Sequence, residues 1–142
     1  MYRKFSPRLS ALAAIALTLF LGCATSAKVV GTGLSKDATY FWLGSSASEA
    51  VSIFSTEDEK VTLRVKFAPN LVGWNWIFKV EWIGPSGEIY LQEPVKTKYG
   101  NNEILFAELP IANHEPSKMT GRWRVKLFDG EIELVNRSFT IE

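Results

Sequence analysis

The residue best suited to acid–base chemistry at neutral pH is the single histidine of this chain, His114. It lies between Asn113 and Glu115 in a segment flanked by prolines. A serine-type hydrolase would use this imidazole as its base, together with a nucleophile on a strand-to-helix elbow and a glycine-rich oxyanion loop. Neither sequence feature accompanies His114. The pattern favours a solvent-facing loop histidine, and we expect the protein not to be an enzyme.

The sequence also lacks the ligand sets of metal and phosphate sites. A zinc or copper site needs several His or Cys ligands at fixed spacings, and this chain has one of each. The acidic run at 57–59 lacks the alternating oxygen ligands and the glycine of a calcium loop, so it predicts a solvated turn. The Gly-Thr-Gly at 31–33 lacks the later glycine and the lysine of a phosphate-binding loop. We therefore expect no metal and no cofactor.

The single cysteine, Cys23, follows a segment with the three parts of an export signal. Three Lys and Arg residues at 3–8 precede the apolar run 11–21 and the small residue Gly22. The apolar run is well short of the ~20 residues that a membrane-spanning helix needs. An exported protein with one cysteine has no intramolecular disulfide, and acylation would explain why the thiol is present.

The sequence Phe-Leu-Gly-Cys at 20–23 resembles the lipobox of bacterial lipoproteins. The resemblance implies that residues 1–22 are a cleaved signal and that Cys23 becomes the acylated first residue of the mature protein. Several acyl chains hold a protein firmly on a membrane that it does not span. Ala24 stands where an aspartate tends to retain enterobacterial lipoproteins at the inner membrane. We therefore expect an outer-membrane lipoprotein that faces the periplasm or the cell surface.

Loss of the leader would change the charge and leave a chain of one-domain size. Thirteen of the 16 basic residues and all 15 acidic residues would remain, a net charge of −2, so we expect no nucleic-acid partner. Residues 23–38 are small and polar and predict a lipidated flexible tether, in which 28–30 are a candidate edge strand. The folded domain is predicted at 39–142, with an ambiguous stretch at 39–50.

From residue 51 onward, apolar and polar residues alternate, and turn residues recur at intervals of about ten residues, which is typical of antiparallel strands. The clearest strand covers 60–67, with one face buried and the other, which includes Thr62, exposed to water. Further strands are predicted at 74–83, 88–92 and 103–109, with Pro94 stopping or edging its strand. Residues 112–120 are predicted to cross between two sheets.

The last two strands are predicted to form a hairpin. Residues 122–127 alternate basic and apolar side chains, and the Asp-Gly pair at 129–130 is predicted to supply the left-handed residues of a tight turn. Ile132 and Leu134 are predicted to continue the apolar face. The interrupted alternation at 136–138 indicates a bulge.

Six or seven such strands, with a tryptophan on an early central strand, resemble the immunoglobulin-like sandwich, without the cysteine pair of antibody domains. The sequences Trp-Ile-Gly-Pro-Ser-Gly at 82–87, Gly-Arg-Trp-Arg-Val at 121–125 and Phe-Thr-Ile at 139–141 are similar to Ig-like domains of exported bacterial proteins. The resemblance covers roughly 51–142. It implies an all-β fold, an Ig-like antiparallel β-sandwich of about seven strands.

Trp74, Trp76 and Trp82 share one face of a predicted strand, which is either core or a binding platform. Burial of large rings stabilises a small sandwich, so we expect Trp76 and Trp82 in the core. Trp74 is nearer to a loop and is a candidate exposed ring, as is Trp42 in the ambiguous stretch. Exposed rings would stack on sugars.

Basic residues form a second candidate surface. Arg122, Arg124 and Lys126 project from one face of the predicted hairpin. Near Lys66 or Arg64 they would form a basic stripe for an anionic polymer, and the alternative is a solvated sheet face.

The face of strand 74–83 opposite the tryptophans carries Ile77 and Ile83, which the 39–50 segment or a partner would cover. Our leading hypothesis is a membrane-anchored, non-catalytic module that binds a protein partner in the envelope. One alternative is a glycan-binding module that uses the exposed tryptophans. Another is an inhibitor of an envelope enzyme that inserts the loop at 114–118.

Overall fold

The computed structural model describes residues 27–36, 51–68, 76–97 and 103–142. In these ranges the chain forms eight strands and one short 3-10 helix at Glu115–Lys118, and it forms no α-helix. The protein is therefore all-β, with a strand count close to the predicted seven. The strands are, in chain order, β1 (Val29–Ser35), β2 (Ile53–Phe54), β3 (Lys60–Phe67), β4 (Ile77–Ile83), β5 (Ile89–Lys96), β6 (Ile104–Pro110), β7 (Gly121–Asp129) and β8 (Ile132–Ile141).

The described strands form two sheets. One has the order β1-β3-β6, and the other has the order β2-β8-β7-β4-β5. Pairing is antiparallel throughout, except that β2 pairs with β8 in parallel over two residues. The segment between β6 and β7 crosses from one sheet to the other, as predicted for 112–120.

The core fills the space between the sheets because alternation directs one row of apolar side chains inward from each strand. On β3, the inward residues Val61, Leu63, Val65 and Phe67 are fully buried, as predicted. Phe67 stacks on Phe78 of the other sheet, with ring centroids 4.8 Å apart. Burial of a side chain of this size stabilises the fold by roughly 1.5–3 kcal/mol.

The outward face of β3 is covered at one end. Thr62 is fully buried, and Ser35, its partner on β1, is 6% exposed. Lys66, toward the other end of β3, is exposed. The predicted water-exposed face is therefore wrong at Thr62, because alternation shows which side chains point away from the core but not what lies over them.

The predicted tether is largely part of the domain. β1 pairs with β3 from Val29 to Ser35, well beyond the candidate edge strand at 28–30. Ala27 is already buried, and the carbonyl of Lys28 accepts a hydrogen bond from the Ala68 amide at 2.9 Å. Small residues mislead here because backbone pairing needs no side chain.

The turn of the last hairpin differs by one residue from the prediction. Asp129 belongs to β7 and pairs with Ile132, so the turn residues are Gly130 and Glu131. Of these two, Gly130 alone has a positive φ, 59°. One left-handed residue in the first turn position, occupied by glycine, is typical of a type II′ turn.

The bulge of β8 lies closer to the turn than predicted. Leu127 pairs with Val135 and Phe128 with Glu133, so Leu134 is skipped. Pairing is regular through 136–138. The extra residue reverses the phase of the strand, so that Val135, opposite Leu127, and Ile132, opposite Asp129, both lie on the inward side of the sheet. Val135 is buried, whereas Ile132, next to the turn, is 49% exposed.

The β4–β5 hairpin forms one margin of the larger sheet. β5 continues to Lys96, beyond the predicted end at residue 92, and Pro94 lies within it. The edge position of β5 accommodates a residue without a backbone N–H, so the edge prediction for Pro94 is confirmed. In the turn at 84–87, the Gly84 amide donates to the Glu88 carbonyl at 3.0 Å.

Candidate binding surfaces

The structure describes two of the five predicted site residues. Cys23, Trp42 and Trp74 lie outside the described residues, as do the predicted leader and the stretch 39–50. Arg122 and Arg124 lie on β7 and are exposed.

The two arginines project side by side from the outer face of the five-stranded sheet. Their neighbours across β8 are Thr140 and Ser138, respectively. Positions two residues apart on a strand are separated by about 7 Å. Arg122 and Arg124 therefore place two cations at this spacing beside two hydroxyl side chains.

Neither arginine forms an ion pair with another described residue. Arg122 Nη2 donates a long hydrogen bond of 3.4 Å to Ser138 Oγ. The Arg124 side chain forms no hydrogen bond within the described part of the chain. Both arginines are exposed, and no described carboxylate competes with an anion from another molecule for an ion pair with them.

Exposed apolar residues flank this pair. Ile53 pairs with Thr140 and is 56% exposed, and Ile89 pairs with Ile83 of β4 and is 52% exposed. We call this region the arginine surface. It consists of Ile53, Ile83, Ile89, Arg122, Arg124, Ser138 and Thr140.

Further along the same face, the lysines are paired. Lys126 lies 3.1 Å from Glu133, and Lys79 lies 3.0 Å from Glu81. The Lys79 ammonium is also 4.5 Å from the centre of the Phe128 ring. Of these two lysines and the two arginines of the arginine surface, the arginines are therefore the cations that form no ion pair with a described residue.

Glu133 shows how this face acts on a carboxylate. The hydrogen bond from Lys126 lowers the pKa of the Glu133 carboxyl group, and burial opposes this effect. A hydrogen bond of 3.2 Å from Asn136 and the positive charges of Lys126 and Arg124 lower this pKa further. The face, including Arg124, therefore stabilises negative charge.

The predicted extension of the basic stripe is wrong. Arg64 and Lys66 lie on β3, in the three-stranded sheet. Their side chains point away from the core on the opposite side of the sandwich from Arg122, Arg124 and Lys126. Alternation predicts which face of its own strand a residue occupies, but it does not predict which sheet the strand joins.

A second group of exposed apolar residues lies at the end of the sandwich that contains the β7–β8 turn. Val30, Ile77 and Ile132 are 53%, 53% and 49% exposed. We call these three residues, with Gly130 and Glu131, the turn end. Between Ile77 and Pro94 lies an open depression of about 350 Å³. Of the two isoleucines expected to be covered, Ile83 is buried, whereas Ile77 is about half exposed.

Sequence reasoning did not predict that four apolar residues would be exposed: Val30, Ile53, Ile89 and Ile132. Each needs information that alternation lacks: the register of β2, the irregular pairing of β5 at Tyr90, the pairing of β1, and the position of Ile132 at the end of the sandwich.

The described tryptophans serve the core. Trp82 is fully buried, as predicted, and so is Trp123, whose Nε1 donates to the Met119 carbonyl at 2.8 Å. Trp76 packs against the core and is half-buried, and its Nε1 donates to Asp129 Oδ1 at 2.8 Å. None of these three rings forms an exposed platform.

Other candidate chemistry is sparse in the described ranges. His114 is exposed at the start of the 3-10 helix, and its carbonyl accepts a hydrogen bond from Ser117 Oγ at 2.7 Å. Within these ranges no three His, Cys, Asp or Glu side chains come together as a possible metal site. The described ranges contain no helix that is long and apolar enough to cross a membrane.

Solved structures identify the architecture as immunoglobulin-like. The chain is similar to an immunoglobulin-like protein of Pseudomonas aeruginosa, at 14% identity and a TM-score of 0.55, over 85% of this chain and 100% of that one. It is similar to trypsin-activated alpha-2-macroglobulin of Escherichia coli, at 14% identity and a TM-score of 0.53, over 82% of this chain and 7% of that one. No protein-family model and no curated protein matches. The predicted Ig-like sandwich is confirmed at the level of fold.

Proposed function

We propose that the protein is a lipid-anchored, non-catalytic Ig-like module of the bacterial envelope that binds a protein partner through the arginine surface. The observation that carries this proposal is the combination, on one sheet face, of exposed Ile53 and Ile89 with two arginines that form no ion pair with any described residue. Arginine is enriched in protein interfaces and among the residues that dominate binding energy, and the centres of interfaces are apolar.

The charge of the arginine surface indicates the chemistry of the partner. Arginine pairs with carboxylates in a bidentate geometry. Acidic side chains at positions i and i+2 of an extended segment are separated by about 7 Å, the spacing of Arg122 and Arg124. We therefore propose a partner with two such acidic residues and an apolar contact to the flanking isoleucines.

A protein partner fits this surface better than a long anionic polymer. Beyond the arginines the same face carries the ion pairs Lys79–Glu81 and Lys126–Glu133, so a polyanion extending along it would meet lysines that are already paired. The isoleucines match another protein surface better than a hydrated chain. The glycan alternative therefore rests on Trp42 and Trp74. It gains no support from the rings that serve the core, which are Trp76, Trp82 and Trp123.

The non-catalytic part of the proposal is supported by the surroundings of His114. General base catalysis requires an imidazole within reach of a nucleophile and of an orienting group. The His114 side chain is exposed and forms no hydrogen bond with the residues that the structure describes.

The anchor and its location are supported by sequence. The Phe-Leu-Gly-Cys at 20–23 provides an acylation site at Cys23, and Ala24 is compatible with transfer to the outer membrane. In the mature protein the acylated cysteine would be four residues from Ala27, the first described residue of the domain.

The test is crosslinking of the full chain in intact cells, followed by mild solubilisation, affinity capture and mass spectrometry. A Cys23→Ala chain is the matched control, because it differs only in the anchor. We expect fatty-acid labelling at Cys23 and one stoichiometric protein partner that requires the anchor. Unlabelled Cys23 would contradict the anchor, captured glycan would favour the glycan-binding module, and hydrolytic activity would contradict the non-catalytic role.

A further inference from the structure

The position of the first described residues limits how the sandwich can lie relative to an anchor at Cys23. Ala27 is 3% exposed, and Lys28 is hydrogen-bonded to Ala68, so the chain is attached to the domain from residue 27. Four residue steps separate Ala27 from Cys23. A fully extended chain of this length spans at most about 15 Å.

The end of the sandwich nearest to this point is the turn end. Val29 pairs with Phe67, and Phe67 stacks on Phe78, which follows Ile77. Trp76, which precedes Ile77, is hydrogen-bonded to Asp129 beside the β7–β8 turn. The start of β1, the start of β4 and this turn therefore lie together.

The arginine surface lies toward the opposite end. Ile83, the last residue of β4, pairs with Arg124, six residues along the strand from Ile77. Six residues of a strand span about 20 Å. The short connection to Cys23 thus favours an orientation with the turn end near the membrane and the arginine surface away from it.

The side chains of the turn end suit contact with lipid. Val30, Ile77 and Ile132 are each about half exposed and apolar. Lys28 and Lys96, the partner of Ile77 on β5, are exposed. Lysine side chains at such positions place their carbon stems on apolar surface and their ammonium groups among headgroups. Glu131 is also exposed here, so apolar contact rather than net charge would hold this end.

We propose that the turn end rests on the membrane that carries the anchor, with Val30, Ile77 and Ile132 in the interfacial layer. The inference rests on the proposed acylation of Cys23. Three apolar side chains bury little area, and the contact depends on the high effective concentration that a short tether provides. A chain without acyl groups should therefore not bind vesicles stably.

The test uses the acylated full chain in phosphatidylethanolamine–phosphatidylglycerol vesicles. An environment-sensitive fluorophore is attached to Ile77→Cys or, as the matched control, to Ile89→Cys, since the two isoleucines are 53% and 52% exposed. Vesicles with brominated acyl chains quench fluorophores that enter the interfacial layer. We expect quenching of at least about twofold for the label at 77 and little for the label at 89. An Ile132→Cys label should behave like the label at 77.

Each outcome is informative. No quenching at 77 and 132, or equal quenching at 89, would overturn the proposed orientation. A spectral shift at 77 without quenching would indicate contact with protein, such as a second copy, and would also overturn it. If the chain carries no acyl group, the anchor itself fails, which the fatty-acid labelling at Cys23 shows separately.

Discussion

The turn end and the arginine surface both expose isoleucines, but they differ in the charges beside these isoleucines and in their distance from the first described residues. At the turn end, Ile77 lies near the first described residues, and its face neighbours Lys79 and Glu81 are paired with each other. At the arginine surface, Ile89 is separated from Arg124 by Ile83 of the intervening strand, and neither Arg122 nor Arg124 forms an ion pair with a described residue. Exposed apolar area alone therefore does not define a function, because the charges beside it and the position of the anchor distinguish the two regions.

The largest expected effect is a loss of stability when the core beneath the arginine surface is changed. Trp123, next to the two arginines, is fully buried and contacts Tyr90 and Phe139. Its replacement in Trp123→Ala should lower the free energy of unfolding by about 3–5 kcal/mol, measured by urea denaturation. A loss well under 1 kcal/mol would show that the backbone beneath the arginine surface does not depend on this ring.

The next effect concerns partner binding. The Arg122→Glu/Arg124→Glu chain should reduce the yield of crosslinked partner at least tenfold, because both charges that attract the acidic segment are reversed. The matched control is Lys66→Glu/Lys118→Glu, which has the same charge change at exposed positions elsewhere. Equal losses in the two chains would mean that overall charge, not the arginine surface, controls binding.

A smaller effect is expected at the turn end. Trp76→Phe keeps an aromatic ring stacked near Phe78 but removes the hydrogen bond to Asp129. It should lower the free energy of unfolding by about 1 kcal/mol, measured by urea denaturation. Asp129→Asn, which retains an acceptor oxygen, should cost less. If both variants are as stable as the wild type, this hydrogen bond does not fix the turn end.

The smallest effect is on titration. Because the pKa of Glu133 is lowered in the folded protein, this group contributes stability above the ordinary carboxyl pKa. The contribution is lost as the pH falls through the lowered value. Lys126→Gln should raise the pKa of Glu133, as followed by carboxyl NMR, and Lys79→Gln should leave it nearly unchanged. An unchanged pKa in Lys126→Gln would contradict the assigned cause.

The sandwich was predictable because alternation is a local property of the sequence. Residues such as Val61 and Trp82 are buried wherever their strands lie in the sheets, so parity alone identified them. The bulge at Leu134 was misplaced because polar residues at 136–138 interrupt the apolar pattern without interrupting the hydrogen bonding. β1 was underestimated because its backbone pairs without large side chains.

The candidate surfaces were predictable only in part. Parity identified Arg122 and Arg124 as outward-facing residues. It did not place Arg64 and Lys66 in the other sheet, because sheet order depends on contacts distant in sequence. The proximity of Ile77 to the start of β1 follows from the pairing of Val29 with Phe67, which no local pattern contains.

The most direct test of the account compares the two regions in one experiment. A photo-crosslinking amino acid replaces Ile89 or Ile77 in the full chain, and intact cells are irradiated. We predict a discrete protein adduct from position 89, and from position 77 adducts with lipid rather than with protein. A protein adduct from position 77 with none from position 89 would contradict the assignment of the arginine surface to the partner and of the turn end to the membrane.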